Sequence, residues 1–193
     1  MKHRIILIGM LLLTTTLKAQ VITGYDGGMM VHTGYVAGEI APLEQKTQGF
    51  TFGIGGVARL HLGKHFRVGG EGYLSSLNLL SNKSFTKLGW GGALVDCYFT
   101  FKKCSPYLGV TIGGGSATSV IMKEGNTKDW IAEEQLVYNK QALMVIDPFI
   151  GAEYAIAPSM AVTVKMDFLF GFSSKELYVP RGPRLYLGMV FKH

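Results

Sequence analysis

The chain is poor in the residues that open most functional readings. Its 193 residues include two cysteines, six prolines and only 17% charged side chains. Two cysteines make no disulfide framework, and neither Cys97 nor Cys104 has further ligands at metal-binding spacing. They read as one residue in a strand and one in the turn after it, roughly 20 Å apart along an extended chain. A bridge needs Cα atoms within about 7 Å, so both are expected to stay unpaired. Beyond the first residues no apolar run reaches the roughly 20 residues of a spanning helix. No basic stripe is interleaved with aromatics, which excludes nucleic acid as an expected partner. The runs Gly53-Ile54-Gly55-Gly56 and Gly113-Gly114-Gly115 are followed by neither Lys-Ser/Thr nor a helical pattern, so they are not phosphate loops. No metal and no cofactor are expected.

The N-terminus carries an export signal. Met1-Lys2-His3-Arg4 is a basic start, Ile5 to Leu13 an apolar core, and Ala19 the small residue before a cleavage expected ahead of Gln20. This divides the chain into a signal peptide, 1–19, and one domain, 20–193. The leader removes Lys2, Arg4 and Lys18 and no acid, so the formal charge of +6 falls to about +3 in the mature chain.

Glycine, by contrast, is abundant at 26 residues, and it recurs inside alternating apolar segments such as Phe50-Thr51-Phe52-Gly53-Ile54-Gly55-Gly56-Val57. Glycine within a strand marks a bend, a bulge or a close approach, all of which a narrow, tilted barrel needs. Period-two alternation predicts strands over Met30–Gly38, Phe50–Leu62, Phe66–Ser76, Lys87–Phe101, Tyr107–Gly115, Leu143–Ile156, Ala161–Gly171 and Arg184–Phe191. Short connections (Gly63-Lys64-His65, Lys102–Pro106, Ala157-Pro158-Ser159) alternate with longer ones (Glu39–Gly49, Asn78–Thr86, Ser116–Ala142, Phe172–Pro183). Short periplasmic turns and long outer loops are the asymmetry of outer-membrane barrels. The fold class is therefore all-β: an antiparallel up-and-down transmembrane β-barrel of about eight strands, located in the outer membrane of a Gram-negative envelope.

Parity fixes which face meets lipid. Phe50, Phe52, Ile54, Ala58, Leu60 and Leu62 share one face of the second strand, and Thr51, Arg59 and His61 share the other. Val162, Val164, Met166, Phe168 and Phe170 oppose Thr163, Lys165 and Asp167. A charge facing lipid at midplane costs about 2–4 kcal/mol, so the polar faces point inward. Inward charges must compensate one another. Hairpin geometry sets Glu153 against Lys165, and Arg59 and Arg67 near Glu71, with Asp96 and Asp167 as further inward acids. The expected interior is this network of Arg59, Arg67, Glu71, Asp96, Glu153, Lys165 and Asp167, packed too closely for a general porin.

The segment Pro106-Tyr107-Leu108-Gly109-Val110-Thr111-Ile112-Gly113-Gly114-Gly115 and the closing Leu187-Gly188-Met189-Val190-Phe191 resemble the strands of small OmpA/OmpX-type outer-membrane barrels. The resemblance covers essentially the whole mature chain as a pattern. It implies outer-membrane lipid and the barrel-assembly machinery as partners; no periplasmic domain is expected after the barrel, because no sequence is left for one. One departure is that the chain runs past the terminal aromatic through Lys192 to His193.

Chemistry has few footholds. Some barrels of this kind modify lipid A with a histidine near the outer leaflet. Here His61, His65 and His193 fall at the periplasmic end, which leaves His32; a histidine satisfied by interior charges is the favoured reading, and no catalytic residue is assigned. Within Ser116–Ala142, Trp130 and Ile131 among charged residues are a candidate surface contact for an extracellular partner. Alternatively, Val120-Ile121-Met122 and Leu136-Val137-Tyr138 extend the flanking strands, with Trp130 packed on that hairpin. Trp90 is expected to be packed in the barrel, and Tyr98, Phe99 and Phe101 to join an interfacial girdle. The expected role is a non-enzymatic surface-interaction or envelope-structural one. A lipid A-modifying enzyme and a secreted lipocalin-like barrel are the alternatives.

Overall fold

A computed structural model describes residues 22–40, 45–78, 85–122, 136–173 and 181–193. The expected signal peptide lies outside them. Eight strands follow one another: β1 (Ile22–Ile40), β2 (Gln45–Leu62), β3 (Phe66–Asn78), β4 (Phe85–Tyr98), β5 (Cys104–Met122), β6 (Leu136–Ala157), β7 (Met160–Phe172) and β8 (Arg181–Lys192). Each pairs antiparallel with the next, and β1 pairs with β8 to close the barrel. Closure leaves no open edge of unpaired amides and carbonyls, which hydrocarbon does not tolerate.

The register sets the barrel's stagger. Following paired residues from Gln141 on β6 through Ala117, Leu88, Ser75, Gly53, His32, Tyr186 and Lys165 returns to β6 at Gly151, ten residues further along. A side chain therefore faces partners across the lumen that lie far from its hairpin neighbours.

Several strands run further than alternation alone indicates. β1 begins at Ile22 rather than Met30, and β5 and β6 stay paired out to Met122 and Leu136. Val120↔Tyr138 and Ile121↔Val137 are ladder pairs, so these segments do extend the flanking strands. Trp130 and Ile131 lie outside the described residues. At the opposite end the connections are tight: Gly63 turns with φ 65°, a left-handed conformation that glycine adopts without steric cost. Cys104 is the first residue of β5, not a turn residue, and both cysteines are free. The terminal His193 exchanges backbone hydrogen bonds of 3.1 and 2.9 Å with Tyr25 and stacks on its ring at 5.1 Å. The two residues past Phe191 thus join the closing ladder.

The wall is apolar outside. Phe50 is 69% exposed, Leu74 69% and Leu187 56%, while Arg59, Glu71 and Lys165 on alternating positions are buried. Outward aromatics gather at two heights: Tyr25, Phe66, Phe99, Phe101, Tyr154 and Phe191 near the short turns, and Tyr35, Phe50, Phe52, Phe168 and Phe172 toward the other end. These are the girdles of a membrane barrel. Tyr98 does not join them. It shares parity with Asp96 and points inward, its ring 4.7 Å from the Arg67 guanidinium carbon.

Candidate functional site

The interior is the distinctive region, and it is built in two tiers. Nearer the short turns, Arg59 on β2 and Arg67 on β3 meet three carboxylates from three other strands. Arg59 Nε donates to Asp26 Oδ1 at 2.7 Å, and its Nη2 to Glu153 Oε1 at 2.7 Å. Arg67 Nε donates to Asp96 Oδ1 at 2.7 Å, and its Nη1 to the same Glu153 oxygen at 2.7 Å. A longer bond of 3.4 Å joins Arg59 Nη1 to Asp96 Oδ2. His61 Nε2 donates to Asp26 Oδ2 at 2.6 Å, and Lys192 Nζ lies 2.8 Å from Glu153 Oε2. The Tyr107 ring sits under both guanidiniums, 5.8 Å from Arg59 and 5.1 Å from Arg67.

The second tier lies further out. Lys165 Nζ on β7 donates to both oxygens of Glu71 at 2.8 and 3.0 Å. Glu71 also accepts from Thr111 Oγ1 at 2.6 Å and from the Tyr73 hydroxyl at 3.0 Å. Three rings enclose the ammonium, with Tyr186, Phe149 and Tyr73 centroids at 4.6, 4.7 and 5.0 Å. Arg184 on β8 grips Asp167 with Nε at 2.9 Å and Nη2 at 2.7 Å, and shares Nη2 with Asp147 at 3.0 Å. Trp90 is buried under this guanidinium, 5.1 Å away. Further out still, the buried pair His32 Nε2 and Ser75 Oγ are 2.9 Å apart.

All seven interior charges named from the sequence line the lumen, but their partners differ from hairpin expectation. Glu153 pairs with Arg59 and Arg67 rather than Lys165, and Glu71 pairs with Lys165 rather than either arginine. The stagger of the ladder is the reason. Glu153 sits directly opposite Thr163 on β7 and reaches across the lumen instead. Asp26, Asp147 and Arg184 complete the network and escaped the sequence reading. Parity signalled Asp147 and Arg184, which share a face with Glu153 and Tyr186 respectively. Asp26 precedes the alternating part of β1 and gave no such signal.

Chemically this is a set of ion pairs that cross the lumen. Guanidiniums do not act as bases at physiological pH, and each buried carboxylate is engaged by at least one cation. Among the described residues, no three His, Cys, Asp or Glu side chains form a group placed to hold a metal. The polarity is opposite to that of a soluble ligand-carrying barrel, whose lumen is apolar and exterior polar.

Comparison with solved structures agrees with this architecture. Neisserial surface protein A (NspA) superposes with a TM-score of 0.54 at 15% identity, covering 88% of this chain and 97% of that one. Ail, the attachment invasion locus protein of Yersinia pestis, gives 0.47 at 11% identity over 87% and 98% of the two chains. The N-terminal β-barrel domain of Pseudomonas aeruginosa OprF gives 0.42 at 13% identity over 89% and 100%. No protein-family model matches the chain, and no curated protein matches it in sequence. The chain has the fold of the small eight-stranded outer-membrane barrels, and its apolar, aromatic-girdled wall is the surface such barrels present to that membrane.

Proposed function

We propose that this chain is a non-enzymatic, non-conducting outer-membrane barrel that holds the outer ends of its hairpins at the cell surface for contact or envelope organisation. The observation that carries the reading is the interior: Arg59, Arg67, Lys165 and Arg184 bridge six carboxylates across the lumen at both tiers. Such a filled interior supplies rigidity and leaves no continuous water path for ions. The loop carrying Trp130 and Ile131 is the segment proposed to meet an extracellular partner, and the barrel-assembly machinery is the expected partner during insertion.

Support for a non-enzymatic role comes from His32. Among the described residues, its hydrogen bond to Ser75 is the nearest approach to a nucleophile–base pair, yet both side chains face the lumen and are buried. A lipid in the surrounding membrane has no route to them through a closed wall. The test has two arms. Purified barrel in a planar bilayer is expected to give no stepwise conductance, and lipid A from cells making the protein is expected to match that from cells lacking it. Steady channels overturn the filled interior. An altered lipid A that reverts with His32→Ala overturns the non-enzymatic reading.

A further inference from the structure

The short-turn end of the barrel carries exposed charge of one sign. Lys64 stands in the β2–β3 turn and Lys102 and Lys103 in the β4–β5 turn, and all three are exposed. None of them forms an ion pair among the described residues. The turns 63–65, 99–103 and 158–159 and the end 192–193 contain no acid, and the chain has none before Asp26. The nearest carboxylates, those of Asp26, Asp96 and Glu153, are buried in the lumen against Arg59 and Arg67. Lys192 is drawn inward by Glu153 at 2.8 Å and does not belong to this surface set.

The two lysine-bearing turns are held side by side. The Tyr98 amide donates to the His65 carbonyl at 2.8 Å, and His65 Nδ1 donates to the Tyr98 carbonyl at 3.3 Å. The His65 ring also lies 5.5 Å from that of Phe99. Turns flanking the β3–β4 pair are two strand spacings, about 9.5 Å, apart. The lysines adjoin the inner aromatic girdle, with Phe66 just after Lys64 and Phe99 and Phe101 just before Lys102, all exposed. Long cationic side chains beside such a girdle reach the headgroup level.

Lys102 supplies an independent observation. Phe101 and Cys104 exchange backbone hydrogen bonds of 2.7 and 2.9 Å, closing a two-residue turn in which Lys102 has φ 56°. Glycine or asparagine takes that conformation most readily, so a lysine keeps a charge there at a cost in backbone strain.

We propose that Lys64, Lys102 and Lys103 form a site for the phosphate headgroup of an anionic phospholipid in the inner leaflet of the outer membrane. Ammoniums at headgroup height with no competing acid present donors and positive charge only, which is the chemistry of phosphate binding. The site rests on the outer-membrane reading above and deepens it by naming a lipid partner.

The test uses the folded barrel in detergent, with phosphatidylglycerol and phosphatidylethanolamine of the same acyl chains as probes, and native mass spectrometry to count retained lipid. Wild type is expected to prefer phosphatidylglycerol. Each lysine contributes about fivefold in affinity, so K64Q/K102Q/K103Q loses about 100-fold and holds both lipids alike. K64R/K102R/K103R keeps the preference. K102G loses about fivefold yet unfolds at no lower urea concentration than wild type, because glycine relieves the turn; binding is thereby separated from folding. Equal retention of phosphatidylglycerol by wild type and K64Q/K102Q/K103Q overturns the site. Glycerol phosphate that competes as well as the intact lipid makes free phosphate the ligand and overturns the lipid assignment. Binding to purified peptidoglycan that the triple variant abolishes, without any lipid preference, overturns it in favour of the cell wall. A wild type that is compact before boiling but shows no lipid preference overturns the site alone. A wild type that never becomes compact overturns the barrel reading and the site with it.

Discussion

Replacing Lys165 by methionine is the most informative perturbation of the interior. The ammonium is buried, bonded to both oxygens of Glu71, and 3.9 Å from both Asp147 and Asp167. Methionine keeps most of the volume and the contact with Tyr73, Phe149 and Tyr186, so the change is one of charge. Removing one member of a buried pair costs about 3–5 kcal/mol, because the remaining charge is stranded. Loss of a desolvated cation–π contact adds about 1–2 kcal/mol. Glu71 keeps its bonds from Thr111 and Tyr73, which offset part of this, so a net loss of about 3–4 kcal/mol is expected. Replacing both partners, Lys165→Met with Glu71→Gln, is expected to recover at least half of it, since no unpaired charge is left at that pair. Reversible urea unfolding in lipid vesicles, followed by tryptophan fluorescence, measures Lys165→Met, Glu71→Gln and the double variant. A cost under about 1 kcal/mol for Lys165→Met, or a double variant as unstable as the sum of the singles, refutes the pairing.

Three further outcomes follow from the wall and its closure. At Gly28 on β1 a Cβ would collide with the Met189 carbonyl of β8, so Gly28→Val is expected to abolish the compact, heat-modifiable form; retention of that form on a gel contradicts the closing register. Met166 faces outward on β7, and Met166→Lys is expected to cost about 2–4 kcal/mol in the same unfolding assay, whereas a neutral effect moves that residue away from the lipid midplane. Cys104 is exposed at the short-turn end, so an impermeant maleimide is expected to label it only after the outer membrane is permeabilised. Labelling of intact cells reverses the orientation.

The parts of the fold governed by period two were legible in the sequence. Inward and outward faces of β2, β7 and β8 follow directly from alternation, because a strand offers each side chain only two directions. Strand length was less legible. At the start of β2 the sequence turns polar, as in Gln45-Lys46-Thr47-Gln48, so alternation fades while the backbone ladder continues. At the start of β1, Gly24, Gly27 and Gly28 remove the side chains that would display parity. The pairing inside the lumen was not legible, because it depends on the stagger of the whole barrel. Glu153 and Lys165 look like neighbours across one tight turn, yet the closed register sends one to Arg59 and Arg67 and the other to Glu71. Likewise Tyr98 looks like a girdle residue by composition, and only its shared parity with Asp96 shows that it caps the lower tier from inside.

The most direct measurement of the central claim is the mobility of the protein from the outer-membrane fraction on a detergent gel, with and without boiling. A closed, lipid-embedded barrel held by its interior ion pairs predicts a compact band before heating that shifts on boiling, and recovery of the protein in that fraction. A protein found soluble in the periplasm, or one whose mobility ignores heating, contradicts the account.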